Sequence, residues 1–244
     1  MIEVREVNVI LDDRSVLEDI HFSLSRGEIL GLIGPPESGK TTLFKTLAGL
    51  IPASSGDVLF DGSSKIALND QGLHEWQSWI GMSFQNDALF DSLTVFDNVA
   101  FPLRRRRVNE ETIKSQVFER LEQVGLKEAS AKYPSEISGG MRKRVGIARA
   151  MIINPPIGLF DDPTAGLDPL TSATILDMVV YLARELNSAT IIISNDLPVL
   201  FPICDRILML CEGKVVFDGK VDDILTSPNA SVVQFAIGGD EGPL

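Results

Sequence analysis

GPPESGKT, Gly34 to Thr41, is the stretch on which the fold turns. It satisfies G-x-x-x-x-G-K-[ST] and stands between a strand-like apolar run, EILGLIG, and a helix-like run, TTLFKTLAGL, the setting that this pattern requires. Glycines let the backbone turn sharply without a side chain in the way. Backbone N–H groups of such a loop, and of the helix start that follows, converge on one point and wrap phosphate oxygens. Lys40 supplies charge for the terminal phosphates, and the Thr41 hydroxyl can reach Mg²⁺. Gly34, Pro35, Pro36, Glu37, Ser38, Gly39, Lys40, Thr41 and Thr42 are therefore the candidate nucleotide-binding residues. A glycine-rich turn with no ligand is the bland alternative, and the matching flanks argue against it.

Two further stretches belong to the same chemistry. In LFDDPTAGLDP, Leu159 to Pro169, an apolar run ends on Asp161, a natural second carboxylate for the Mg²⁺ shell. A turn at Asp-Asp-Pro is expected there in any case and does not compete with that role. Ser138, Gly139 and Gly140 open the helix pattern GGMRKRVGIARA, offering free N–H donors and a hydroxyl, a second anion site. An isolated SGG would be an ordinary cap. Beside a complete nucleotide loop, its simplest use is to close over a nucleotide held by another chain, so the sequence asks for a dimer.

Composition sets outer limits. At 244 residues, 44% of them hydrophobic, the chain can bury a substantial core. A net charge of −12 disfavours nucleic acid as a partner. The two cysteines, with no clustered histidines, suggest neither a zinc site nor a disulfide framework, and fit a reducing cytosol. No apolar run approaches the roughly 18 residues of a membrane span, so a membrane role would come through a partner.

Short strand-like runs alternating with helices predict a mainly parallel sheet covered on both faces, with an antiparallel β subdomain at the start. From Thr94 the pattern turns helical, VFERLEQVGL showing apolar spacings of three and four. The expected division is a nucleotide-binding core over 1–93 and 154–225, a helical subdomain over 94–153, and a tail over 226–244 read as an extended appendage. KVVFDG reads as a hairpin with the strand before it. Trp76 and Trp79 are expected to fill a sheet–helix interface. Arg104 to Arg107 are expected to be a solvated helix start, with contact to anionic lipid or an acidic permease loop as the alternative.

The order GPPESGKT, Gln85 in SFQND, ISGGM, then LFDDPTAGLDP resembles the ATPase subunit of ATP-binding cassette (ABC) transporters over roughly residues 2 to 225. The resemblance implies a P-loop α/β fold and a head-to-tail dimer. Two ATP molecules with Mg²⁺ would lie between the phosphate loop of one chain and the signature Ser138, Gly139, Gly140 and Met141 of the other. It also implies Gln85 at the γ-phosphate and metal, and Asp168 linking the two sites. A membrane permease would be the partner moved by the dimer, with the ATPase on the cytoplasmic side of the inner membrane. More narrowly, Ser83 to Arg104 with the tail VVQFAIGGDEGPL is similar to the ATPase of Mla-type lipid transporters that work with MCE proteins, in which the tail reaches the neighbouring subunit.

The chain departs from the family pattern at three positions. The general base, a glutamate in the family, is Asp162, whose carboxylate is withdrawn by one methylene; slow hydrolysis is the expectation. Asn195 stands where the family places a histidine on the γ-phosphate and cannot carry charge. Leu11 stands near the position of the usual adenine-stacking aromatic. Two outcomes follow: a slow homodimeric ATPase, which the Mla-type resemblance favours, or the degenerate half of a heterodimer. The competing functions are a soluble ABC ATPase not coupled to transport and a non-hydrolysing ATP-dependent assembly module, which Asp162 and Asn195 keep open.

Overall fold

In the computed structural model, residues 1–64 and 70–238 are described. The chain opens with β1 (Ile2–Leu11), β2 (Arg14–Leu24) and β3 (Ile29–Ile33), then α1 (Lys40–Leu47). Next come β4 (Ser55–Phe60), β5 (Ser63–Ser64), α2 (Asp70–Ser78) and β6 (Ile80–Ser83). Three helices follow: α3 (Val95–Arg105), α4 (Glu110–Gln123) and α5 (Gly139–Met151). The chain then alternates through β7 (Ile157–Asp161), α6 (Pro169–Glu185), β8 (Ala189–Ile193) and α7 (Leu197–Leu200). It closes with β9 (Arg206–Cys211), β10 (Lys214–Gly219) and α8 (Ala230–Ile237).

Two sheets result, in the orders β2-β1-β4-β5 and β10-β9-β3-β8-β7-β6. The first is antiparallel. The second is parallel except for the β9–β10 hairpin at its edge. Every residue of β3 and β8 is buried, as expected for parallel strands covered on both faces. Alternation along β3 divides the core: Ile29 and Ile33 face a cluster with α3 to α6, while Leu30 and Leu32 face one with α1 and the antiparallel sheet. The helices over 95–151 have no core of their own, because Val99, Val117 and Val145 share the first cluster with Ile29 and Ile33.

Helix starts follow local capping chemistry: Thr94, Asn109, Ser138, Asp168 and Asn229 each accept a hydrogen bond from a backbone N–H in the first turn. Trp76 is 2% exposed and donates its indole N–H to Leu47 O at 2.9 Å, while its ring lies 5.9 Å from Trp79 and that of Trp79 5.3 Å from Phe60. Both tryptophans thus fill the seam that their spacing predicted.

Two expectations fail. Residues 230–237 form α8 rather than an extended tail, because Val232 is fully buried in the main core and Asn229 caps the turn; residues 239–244 lie outside the described residues. The run Arg104–Arg107 is exposed, as expected, but ends a helix instead of starting one. Arg104 and Arg105 form the last turn of α3, where cations complement the carbonyl end of the helix dipole. Arg104 pairs with Asp97 at 2.8 Å and Glu110 at 3.0 Å, and Arg106 donates to Ser78 O, so two of the four are engaged within the chain.

Candidate active site

The ends of four parallel strands build the site. β3 delivers the phosphate loop, β6 leads through Phe84 to Gln85, β7 ends on Asp161, and β8 leads through Ser194 to Asn195. In an open parallel sheet this carboxyl edge is where ligands bind, because loops there converge over the strand ends.

Sterics at the loop demand glycine twice. Gly34 has φ 145°, and a Cβ there would stand 2.0 Å from Leu210 O. Gly39 has φ 101°, and its Cβ would meet Leu17 Cδ2 at 2.6 Å and Val16 O at 3.1 Å. Lys40 is 9% exposed and donates to Gly34 O and Pro35 O, both at 2.7 Å, so its ammonium lies inside the curl of the loop. Burial holds its pKa below the usual lysine range, with Asp161 opposing. No side chain caps α1, and the first backbone N–H returned to the helix is that of Leu43, to Gly39 O at 2.8 Å. The preceding helix-start amides therefore point at the loop opening. Pro36, Glu37 and Thr41 are exposed, Pro35 and Thr42 are partly so, and Ser38 is buried against Lys40 at 3.3 Å.

Opposite the loop stand the two aspartates. Burial raises the Asp161 carboxyl above its usual range and Asp162 adds to this, while Lys45 and Lys40 oppose it. Asp162 is raised as well, by burial and by Asp196, with Lys143 pulling the other way. Its backbone is fixed: φ is 44°, its N–H donates to Ile193 O at 2.9 Å, and its own carbonyl accepts from Ala165 N–H at 3.2 Å. Asn195 is exposed at the end of β8, beside Asp196.

The remaining predicted residues divide. Gln85 is exposed, and its carbonyl accepts from the Lys143 ammonium. Leu11, 37% exposed, ends β1, but the residues of that hairpin that border the loop are Val16 and Leu17. Ser138 caps α5 through its bond from Met141 N–H at 3.3 Å, leaving its hydroxyl proton free to donate. Gly139 and Gly140 keep the approach to that helix start open, and a Cβ on Gly140 would lie 3.2 Å from Thr171 of α6. Asp168 accepts from Thr171 N–H at 3.0 Å and from the Thr171 hydroxyl at 2.6 Å, bonds that keep its carboxyl below the usual range. The signature thus stands next to Asp168 and α6, a different neighbourhood from the phosphate loop. Sequence reading overlooked Lys143, Asp87 and Arg149, which lie under Gln85; each reads in isolation as an ordinary charge on a helix or turn.

The family model described as ABC transporter matches residues 17–165. The chain belongs to the ABC transporter family. Among relatives of this family member is the intermembrane phospholipid transport system ATP-binding protein MlaF of Haemophilus influenzae, 36% identical over all of this chain and 93% of the relative. MlaF of Escherichia coli K12 is 34% identical over all of this chain and 91% of its own length. Among solved structures, the dimeric post-hydrolysis state of the ATP-binding cassette MJ0796 with ADP and Pi aligns with a TM-score of 0.82. It is 28% identical, over 91% of this chain and 99% of that one. The P-loop α/β fold expected of the sequence is therefore the fold of this ABC cassette.

Proposed function

We propose that this protein is the ATP-binding and ATP-hydrolysing subunit of a membrane transporter for phospholipid or a related lipid, working as a pair of identical chains. The observation that carries the reading is the convergence of Lys40 and the open start of α1 with Asp161 and Asp162 at one sheet edge, in a chain similar end to end to a phospholipid-transport ATPase. In this reading loop amides and Lys40 grip the triphosphate, and Asp162 takes a proton from the attacking water. Its raised carboxyl suits a base, although its reach is one methylene short. Asn195 donates an amide hydrogen bond to the γ-phosphate without adding charge. Thr41 Oγ1, the Asp161 carboxylate and the Gln85 amide are hard oxygen donors of the kind that suit Mg²⁺ together with phosphate oxygens. Mg²⁺, when bound, supplies charge neutralisation on the phosphates.

The signature Ser138 to Met141 packs beside Thr171 of α6, whereas the phosphate loop packs beside Val16, Leu17 and Leu210; in this reading the signature serves a partner's nucleotide, and Asp168 beside it links the two sites. The dimer couples to a membrane permease on the cytoplasmic face of the inner membrane and, through it, to an MCE-type lipid-binding protein. Among the described residues no helix is long and apolar enough to cross a membrane, so anchoring rests on that partner. Purified protein with saturating Mg-ATP is expected to dimerise and to release phosphate slowly. Turnover that appears only when a different cassette chain is added would instead favour the heterodimer, a reading motivated by Asp162 and Asn195 together.

A further inference from the structure

Lys143 is a buried cation to which the reaction above gives no work beyond its pull on the Asp162 carboxyl. It lies in the second turn of α5, is 7% exposed, donates to Gln85 O, and stands 3.2 Å from the carboxylate of Asp87, itself 8% exposed. Withdrawing two opposite charges from water costs roughly what their attraction returns, so an apolar pair would stabilise the fold as well or better. What an apolar pair cannot do is hold a backbone carbonyl in place.

The turn it holds needs holding. Asp87 and Ala88 have φ of 58° and 45°, and Ala88 N–H closes on Asn86 O at 2.6 Å, a conformation that persists only where its surroundings enforce it. Arg149, farther along the same helix, donates to Asp87 O at 2.5 Å and Ala88 O at 2.7 Å, and its guanidinium lies 5.9 Å from the Phe90 ring centre. The fully buried Asn98 then ties down Phe90 through bonds to its N–H at 2.9 Å and its carbonyl at 3.1 Å. Residues 85–88 are thus fastened by hydrogen bonds to α5, the helix whose first turn is the signature, while Phe90 is tied to α3, and Lys143 is the fastener nearest Gln85.

We infer that Lys143 is a positioning residue for Gln85: it fixes the backbone from which the Gln85 side chain reaches the nucleotide, and makes the signature helix and the Gln85 turn move as one body. A partner's nucleotide that pulls on Ser138–Met141 therefore displaces this chain's own Gln85. The inference rests on the ATPase reading above.

The test uses the full chain and variants in which neither buried charge is left alone: Lys143→Met combined with Asp87→Asn, Lys143→Arg, Gln85→Ala, and Gln85→Ala added to the first. In the nucleotide-free double variant, amide hydrogen exchange over 85–88 is expected to speed up about tenfold while β3 and β7 keep their protection. With Mg-ATP, kcat is expected to fall about tenfold with ATP affinity in EDTA unchanged, as when a supporting contact behind a ligand is removed. Lys143→Arg is expected to keep most of the activity. Adding Gln85→Ala is expected to bring no further loss, because both changes act through one side chain. Unchanged protection over 85–88, or additive losses of about a hundredfold, overturns the inference. A wild-type chain that neither binds nor turns over ATP defeats the ATPase reading and this inference with it, whereas an active wild type with an indifferent double variant defeats the inference alone.

Discussion

Replacing Asp162 by glutamate is expected to make this ATPase faster. The backbone at 162 cannot drift to compensate for a short side chain, since its N–H is tied to Ile193 O at 2.9 Å and its carbonyl to Ala165 N–H at 3.2 Å. The carboxylate is therefore withdrawn by close to one C–C bond, about 1.5 Å. Misplacement near 1 Å costs roughly a hundredfold, so Asp162→Glu should raise kcat by about two decades, or ~2.7 kcal/mol of barrier. Glutamate tolerates the left-handed φ of 44° less well than aspartate. That strain, roughly 1 kcal/mol, is present equally in ground and transition states and so lowers the melting temperature rather than the rate. Steady-state phosphate release gives kcat, and displacement of a fluorescent nucleotide checks that ATP affinity stays within about twofold, since Asp162 acts on water and not on the grip. No gain in kcat at unchanged affinity, with Asn195→His also inert, would refute the geometric reasoning.

Other consequences follow from the same site. Because burial, with Asp196, raises the Asp162 carboxyl, and a base must be deprotonated to act, kcat/KM should be full at neutral pH and be lost as pH falls through a value above the ordinary carboxylate range; a pH profile of the wild type against Asp162→Glu checks it. Gly39→Ala forces a Cβ to within 2.6 Å of Leu17 Cδ2 at φ 101°; about 1–3 kcal/mol of stability and ATP binding should both be lost, read by thermal melting and nucleotide titration. Ser138→Ala removes a helix cap worth about 1 kcal/mol, and should abolish cooperative turnover while a single chain's ATP affinity is retained. Trp76→Phe strands the buried Leu47 carbonyl, and should lower stability by about 1–3 kcal/mol with kcat unchanged, a shift visible in a denaturant titration.

Much of this molecule is local chemistry, and the sequence alone determined it. Glycine at 34 and 39, a lysine between loop and helix, and an apolar run ending in Asp161 specify a phosphate-binding turn and the strand facing it wherever they occur, because φ/ψ limits and helix-start amides depend only on near neighbours. The alternation of apolar strands and amphipathic helices likewise specified a covered parallel sheet, and the tryptophan seam could be read from its spacing. Tertiary structure alone decided what depends on chain crossings. It lined up β8, β7 and β6 in that order beyond β3, so that Gln85, Asp162 and Asn195 share one edge, and it set Lys143 under a carbonyl 58 positions away. It turned the arginine run into a helix end pinned to Asp97, Glu110 and Ser78, and folded Val232 into the core where composition suggested a loose tail. A buried ion pair leaves no periodic trace, since each partner looks alone like a surface charge, and only the packing of distant segments removes the water that would have made it one.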